Sequence, residues 1–143
     1  METNFKKARI ITIAMIGAVI AYGVVAWVLS NHRGYGASSE AKMNFMRTAV
    51  FIFSATQIVL AVAVRKTINA ISKTTSSARL LSMQIMINAF CEIIALLGFV
   101  LSMVSKAFMD YAMFAFISLF AFALFFPRRQ DWEEKSAGEV VGG

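Results

Sequence analysis

The distribution of charge constrains this chain more than any other feature. Four long apolar stretches, at about 10–30, 45–64, 80–104 and 107–126, are nearly free of charge, and the charged residues gather in the polar connections between them and at the two ends. About 20 apolar residues suffice to cross the hydrocarbon core of a bilayer. Only 15% of the 143 residues are charged, against about 25% in an ordinary soluble domain. The pattern predicts an all-α integral membrane protein. It would be a single membrane domain over 1–143, with four transmembrane helices arranged as two hairpins and an acidic tail at 127–143.

The ends of the segments carry their own signals. The first apolar run, Ile10 to Leu29, follows "KKAR" but exceeds the 7–15-residue core of a signal peptide, so it reads as the first span. Trp27 and Trp132 suit the membrane interface, and Pro127 ends the fourth helix ahead of Arg128 and Arg129. The linker "RKTINAISKTTSSAR" is polar, yet its spacing allows the second helix to run past the membrane. The connection "NHRGYGASSEAK" reads as an irregular loop.

Orientation follows from the basic residues. Lys6, Lys7, Arg9, Arg65, Lys66, Lys73, Arg79, Arg128, Arg129 and Lys135 fall on one side, and only Arg33, Lys42, Arg47 and Lys106 on the other. Ten against four places both termini in the cytoplasm; the expected membrane is a prokaryotic cytoplasmic one or a comparable energised one. The same rule accounts for the net charge of +6, so no nucleic-acid partner is expected. The expected partners are the bilayer and either further copies of the chain or the other subunits of a membrane complex.

The two halves align weakly. Ala14 onward matches Ala89 onward, with Gly23 opposite Gly98 and Gly17 opposite Glu92; Phe45 and Met46 match Phe108 and Met109. A parallel internal duplication would relate the halves by an axis along the membrane normal.

The chemistry concentrates at Glu92, the one acid near the middle of a span. At 100° per residue, Gln84, Asn88 and Glu92 form a stripe at i, i+4 and i+8, continued by Ala95, Phe99 and Ser102 with Cys91 at its edge. Ile87, Ile94, Leu97 and Leu101 lie opposite. A polar stripe inside hydrocarbon must face protein or water. An ionised carboxylate at mid-span is costly, so a protonated Glu92 is expected, with Asn88, Gln57, Tyr22 and Ser118 as neutral partners. Such an acid either loads and releases a proton or Na⁺, or serves only as a hydrogen-bonding clasp between helices. Gly17, Gly23 and Gly98 are the expected sites of close helix packing, the first two against the Glu92 face.

The stretch "LLSMQIMINAFCEIIALLGFVLSM" resembles the carboxylate helix of rotary ATPase proteolipid (c) subunits: a basic cytoplasmic linker precedes it, and Ala95 and Gly98 follow Glu92 in matching places. The resemblance implies that Glu92 is the ion-binding carboxylate of a proteolipid-like subunit or small transporter. The chain departs from that family in having no glycine in its second span and its acid on the first helix of the second hairpin. Small multidrug transporters share the four spans and single acid, but theirs lies on the first helix, where this chain has Gly17. The alternative is a non-catalytic accessory or scaffold subunit with Glu92 as a structural residue.

The remaining residues argue against other classes. Cys91 is the single cysteine and His32 the single histidine, too few for a disulfide framework, a cysteine metal site or a bis-histidine haem. Met83 and Met86 are not continued into a thioether row, so the methionines read as packing residues. No nucleophile–base pair or phosphate loop is present; no enzyme activity, catalytic residue, metal or cofactor is expected. Lys106 and Asp110, four apart, are expected to pair at the outer turn.

Overall fold

A computed structural model describes residues 2–32, 40–70, 77–129 and 132. Four helices follow in order: α1 Glu2–His32, α2 Glu40–Ala70, α3 Ser77–Ser105 and α4 Phe108–Leu124. Three of them, α1, α2 and α3, are long and apolar enough to cross a membrane. The fourth is apolar but has 17 residues, a length of about 26 Å at 1.5 Å per residue. Among the described residues there is no strand.

The long helices overrun the expected spans because their polar ends are also helix-compatible. α1 carries Lys6, Lys7 and Arg9 on its first turns, and α2 continues beyond Arg65 and Lys66 to Ala70. The expected loop at 31–42 and the acidic tail fall mostly on residues outside those described. Between α3 and α4 the chain reverses over Lys106 and Ala107. Lys106 takes a left-handed φ of 57°, uncommon for a residue with a side chain, and the Ser105 hydroxyl accepts the Ala107 N–H at 3.2 Å.

The helices alternate in direction. At one end, the Arg9 guanidinium lies over Phe126, and Arg65 Nη1 donates to the Leu124 carbonyl at 2.8 Å, so the start of α1 and the ends of α2 and α4 meet. At the other end Arg47 of α2 reaches Asp110 of α4. The two halves do not pack alike, however. α3 is the central helix, in extensive contact with α1, α2 and α4, whereas α1 and α2 scarcely touch. The first two helices therefore do not form a packed hairpin as α3 and α4 do.

The glycines show the same asymmetry. A Cβ on Gly98 would overlap Phe114 of α4, and one on Gly23 would come within 3.0 Å of the Tyr111 ring, also on α4. A parallel duplication would instead set Gly23 against α2. Gly17 differs from the packing role expected of it: a Cβ there would meet no atom within 4 Å, because that face of α1 points away from the bundle.

Central placement also explains the burial of α3. The polar sector holds buried Asn88 and Ser102, but Ile87, Ile94 and Leu101 opposite are buried as well. The outward row is Leu96, Val100 and Val104, continuing at four-residue steps from Glu92. Glu92 itself is half-buried.

Candidate functional site

Three interhelical links are built along α3, one above another. The lowest is a polar chain. Gln84 Nε2 donates to the Phe125 carbonyl at 3.0 Å and to Asn88 Oδ1 at 3.2 Å. Asn88 Nδ2 in turn donates to Thr12 Oγ1 at 2.7 Å. Thr12 passes its own proton back to the Ala8 carbonyl at 2.9 Å. Thr12 and Asn88 are both buried, and buried polar groups are tolerable only when bonded in this way. The chain joins α3 to α1 and to the end of α4.

One turn further along, Ser118 of α4 donates to the Cys91 carbonyl at 2.7 Å. Beside it, Tyr22 Oη of α1 donates to Glu92 Oε1 at 3.2 Å. α1 and α3 run in the same direction, yet Tyr22 is ten residues beyond Thr12 while Glu92 is only four beyond Asn88. At 1.5 Å per residue that offset is about 9 Å, covered by the long Tyr22 side chain slanting back toward its helix N-terminus, as helical side chains do.

An aromatic group closes the outward side. The Tyr22 ring lies 5.8 Å from Phe99. Phe99 meets Tyr111 at 6.4 Å and 90°, an edge-to-face contact. Tyr111 donates through its hydroxyl to the Val19 carbonyl of α1. Glu92 thus sits under an aromatic cover, at the border between the bundle interior and the exposed row Leu96–Val100–Val104.

The expected partners of Glu92 separate. Among the described residues Tyr22 is the one side chain hydrogen-bonded to its carboxylate. Asn88 is turned to Thr12 and Gln84, and Ser118 to the Cys91 carbonyl. Gln57 is buried on α2, which packs on α3 from a side other than that of α1, and makes no hydrogen bond to Glu92. Its neighbour on the same face, Ser54, has a buried hydroxyl without a partner.

The expected Lys106–Asp110 pair is replaced by a different one. Arg47 Nε and Nη2 donate to the two Asp110 carboxylate oxygens at 2.9 and 3.0 Å. Arg47 reaches across from α2 and engages both oxygens with its planar fork, whereas Lys106 forms the left-handed turn ahead of α4 and makes no ion pair with Asp110. Among the described residues no three His, Cys, Asp or Glu side chains gather into a metal-binding group.

No family model matches the chain, and no curated protein or solved structure shows significant similarity to it. Sequence reasoning missed Thr12, Tyr111 and the Arg47–Asp110 pair. Threonine is a weak signal in an apolar helix, because bonding its hydroxyl to a carbonyl one turn back lets it sit anywhere.

Proposed function

We propose that this is a small integral membrane protein in which Glu92 binds and releases a proton, as a proteolipid-like ion-handling subunit or small transporter. In this reading all four helices cross the membrane, both termini are cytoplasmic, and the membrane is a prokaryotic cytoplasmic one. The observation that carries it is the setting of one carboxylate. Glu92 lies beside the midpoint of α3, half-buried at the bundle rim, and among the described residues its hydrogen-bond partner is the neutral phenol of Tyr22.

That setting favours a proton over Na⁺. A hard cation is held by several oxygens; Ca²⁺, for instance, takes 6–8. Glu92 and Tyr22 supply a carboxylate and one phenol oxygen, and the nearby amides are committed to each other and to Thr12. A proton needs one carboxylate oxygen and a neutral acceptor. Tyr22 can serve as either donor or acceptor, so its bond to Glu92 survives protonation. The rim position gives the carboxylate a neighbour outside the bundle, which for an oligomer or a complex would be another subunit.

A second reading has its own support. The Tyr22–Glu92 bond joins α1 to α3, and a neutral acid there would be an interhelical clasp in an accessory or scaffold subunit. Infrared difference spectroscopy on the reconstituted protein separates the two. Proton handling predicts a carboxylic-acid band that bleaches as pH rises and is missing in Glu92→Gln. A spectrum unchanged by Glu92→Gln, together with weakened assembly of that variant, would instead establish the clasp.

A further inference from the structure

At the end of the bundle where the basic residues gather, the first turns of α1 and the segment after α4 enclose an open groove of about 310 Å³. Phe5, Phe126 and Pro127 supply its apolar surface, and Lys6, Arg9 and Arg129 its positive charge; among the described residues Glu2 is the single acid on its lining. Glu2 is engaged by Lys6 at 2.9 Å on the exposed side of the helix. The Arg9 guanidinium is seated between two rings, 5.9 Å from the Phe5 centroid and 6.0 Å from that of Phe126. Trp132 packs edge-on against Phe5 at 5.8 Å and is buried, which braces that wall.

We propose that this groove binds the headgroup of an anionic phospholipid. The charge is complementary: Lys6 and Glu2 offset each other, and with Arg9 and Arg129 the described lining carries a net charge of two positive. Arg9 is positioned by its aromatic neighbours before any ligand arrives, so less freedom is lost when its fork meets a phosphate. The apolar half of the lining suits glycerol and the first acyl carbons. One turn beyond Arg9, Ile13 is exposed on α1 and continues an apolar path along the helix. Basic pockets between helices at the cytoplasmic face are the setting in which anionic headgroups are held. A free phosphate would use the same cations but none of the apolar surface.

The proposal rests on the membrane placement argued above and not on Glu92. The test is native mass spectrometry of the full chain in detergent, with equal amounts of phosphatidylglycerol and phosphatidylcholine added. Phosphatidylglycerol should be retained preferentially, and retention should fall about fivefold for each basic residue removed in Arg9→Gln and Arg129→Gln. Lys66→Gln, an exposed position on α2, should leave it unchanged. If Arg9→Gln fails to fold, Arg9→Lys keeps the charge without the fork and should still lose part of the selectivity.

Equal retention of the two lipids, or retention unaffected by the substitutions, would overturn the proposal. Displacement of the lipid by millimolar inorganic phosphate would reassign the groove to a free anion. Resistance of the wild-type chain to carbonate extraction from membranes is scored in parallel. Extraction would sink the membrane placement itself, whereas unselective binding by a carbonate-resistant protein would sink only the lipid site.

Discussion

Asp110 and Glu92 are both carboxylates inside one helical bundle, and they differ in partner and in burial. Asp110 is 6% exposed and gripped by both donor arms of Arg47. Glu92 is half-buried, touches a neutral phenol and borders the outer surface of the bundle. A bidentate ion pair fixes charge and geometry together, so Asp110 acts as a clamp tying the start of α2 to the start of α4. A carboxyl whose partner is neutral can change protonation state without breaking its contact. The same functional group is thus ion-paired in one place and bonded to a neutral hydroxyl in the other.

The comparison breaks most visibly at the clamp. Arg47→Met leaves the Asp110 carboxylate buried without its counter-charge, a change that costs about 3–5 kcal/mol when a pair is fully buried. With the Arg47 side chain 41% exposed, a loss of about 2 kcal/mol is expected, read as a lower unfolding midpoint in detergent. Adding Asp110→Leu to that variant should recover much of the loss.

The next effect concerns the close approach of α3 and α4 between the two carboxylates. Gly98 lies on α3 beyond Glu92, directly against Phe114, one turn past Asp110 on α4. Gly98→Ala should force α3 and α4 apart and cost about 1–3 kcal/mol. Gly17→Ala, facing open space, should be neutral or stabilising by up to about 1 kcal/mol through helix propensity. Parallel unfolding curves of the two variants check this, and equal losses would contradict the packing described for α3.

Smallest in stability is the effect at Glu92. Tyr22→Phe removes the one recorded hydrogen bond to Glu92, and interhelical bonds of this kind average about 0.6 kcal/mol. Its unfolding midpoint should hardly move, while the pH dependence of Glu92 chemistry shifts. A large destabilisation with unaltered chemistry would favour the clasp.

Much of this was legible in the residues. The apolar runs and their basic flanks anticipate four helices in the observed places, and Gln84, Asn88 and Glu92 do lie in sequence along one helix. What the sequence could not reveal is which helix stands in the middle. α3 is covered on three sides, so the face opposite the polar stripe is buried too, and the stripe does not act as a unit. Gln84 and Asn88 go to Thr12 and Phe125, while Glu92 goes to Tyr22. Those pairings depend on helix rotation and on side chains reaching two turns along a neighbour, neither of which periodicity within a single helix encodes. Gly17 and Gly23 look equivalent in sequence, but only Gly23 has a helix beside it.

In the proposed function Glu92 is the carboxylate that exchanges a proton and Asp110 is not. Hydrophobic carbodiimides modify protonated carboxyls, so labelling of the folded protein, mapped by mass spectrometry across a pH series, tests it directly. Modification is expected at Glu92, declining as pH is raised and absent in Glu92→Gln, with Asp110 unmodified throughout. Labelling of Asp110 in preference to Glu92, or a Glu92 that stays unmodified at every pH at which the protein is folded, would contradict it.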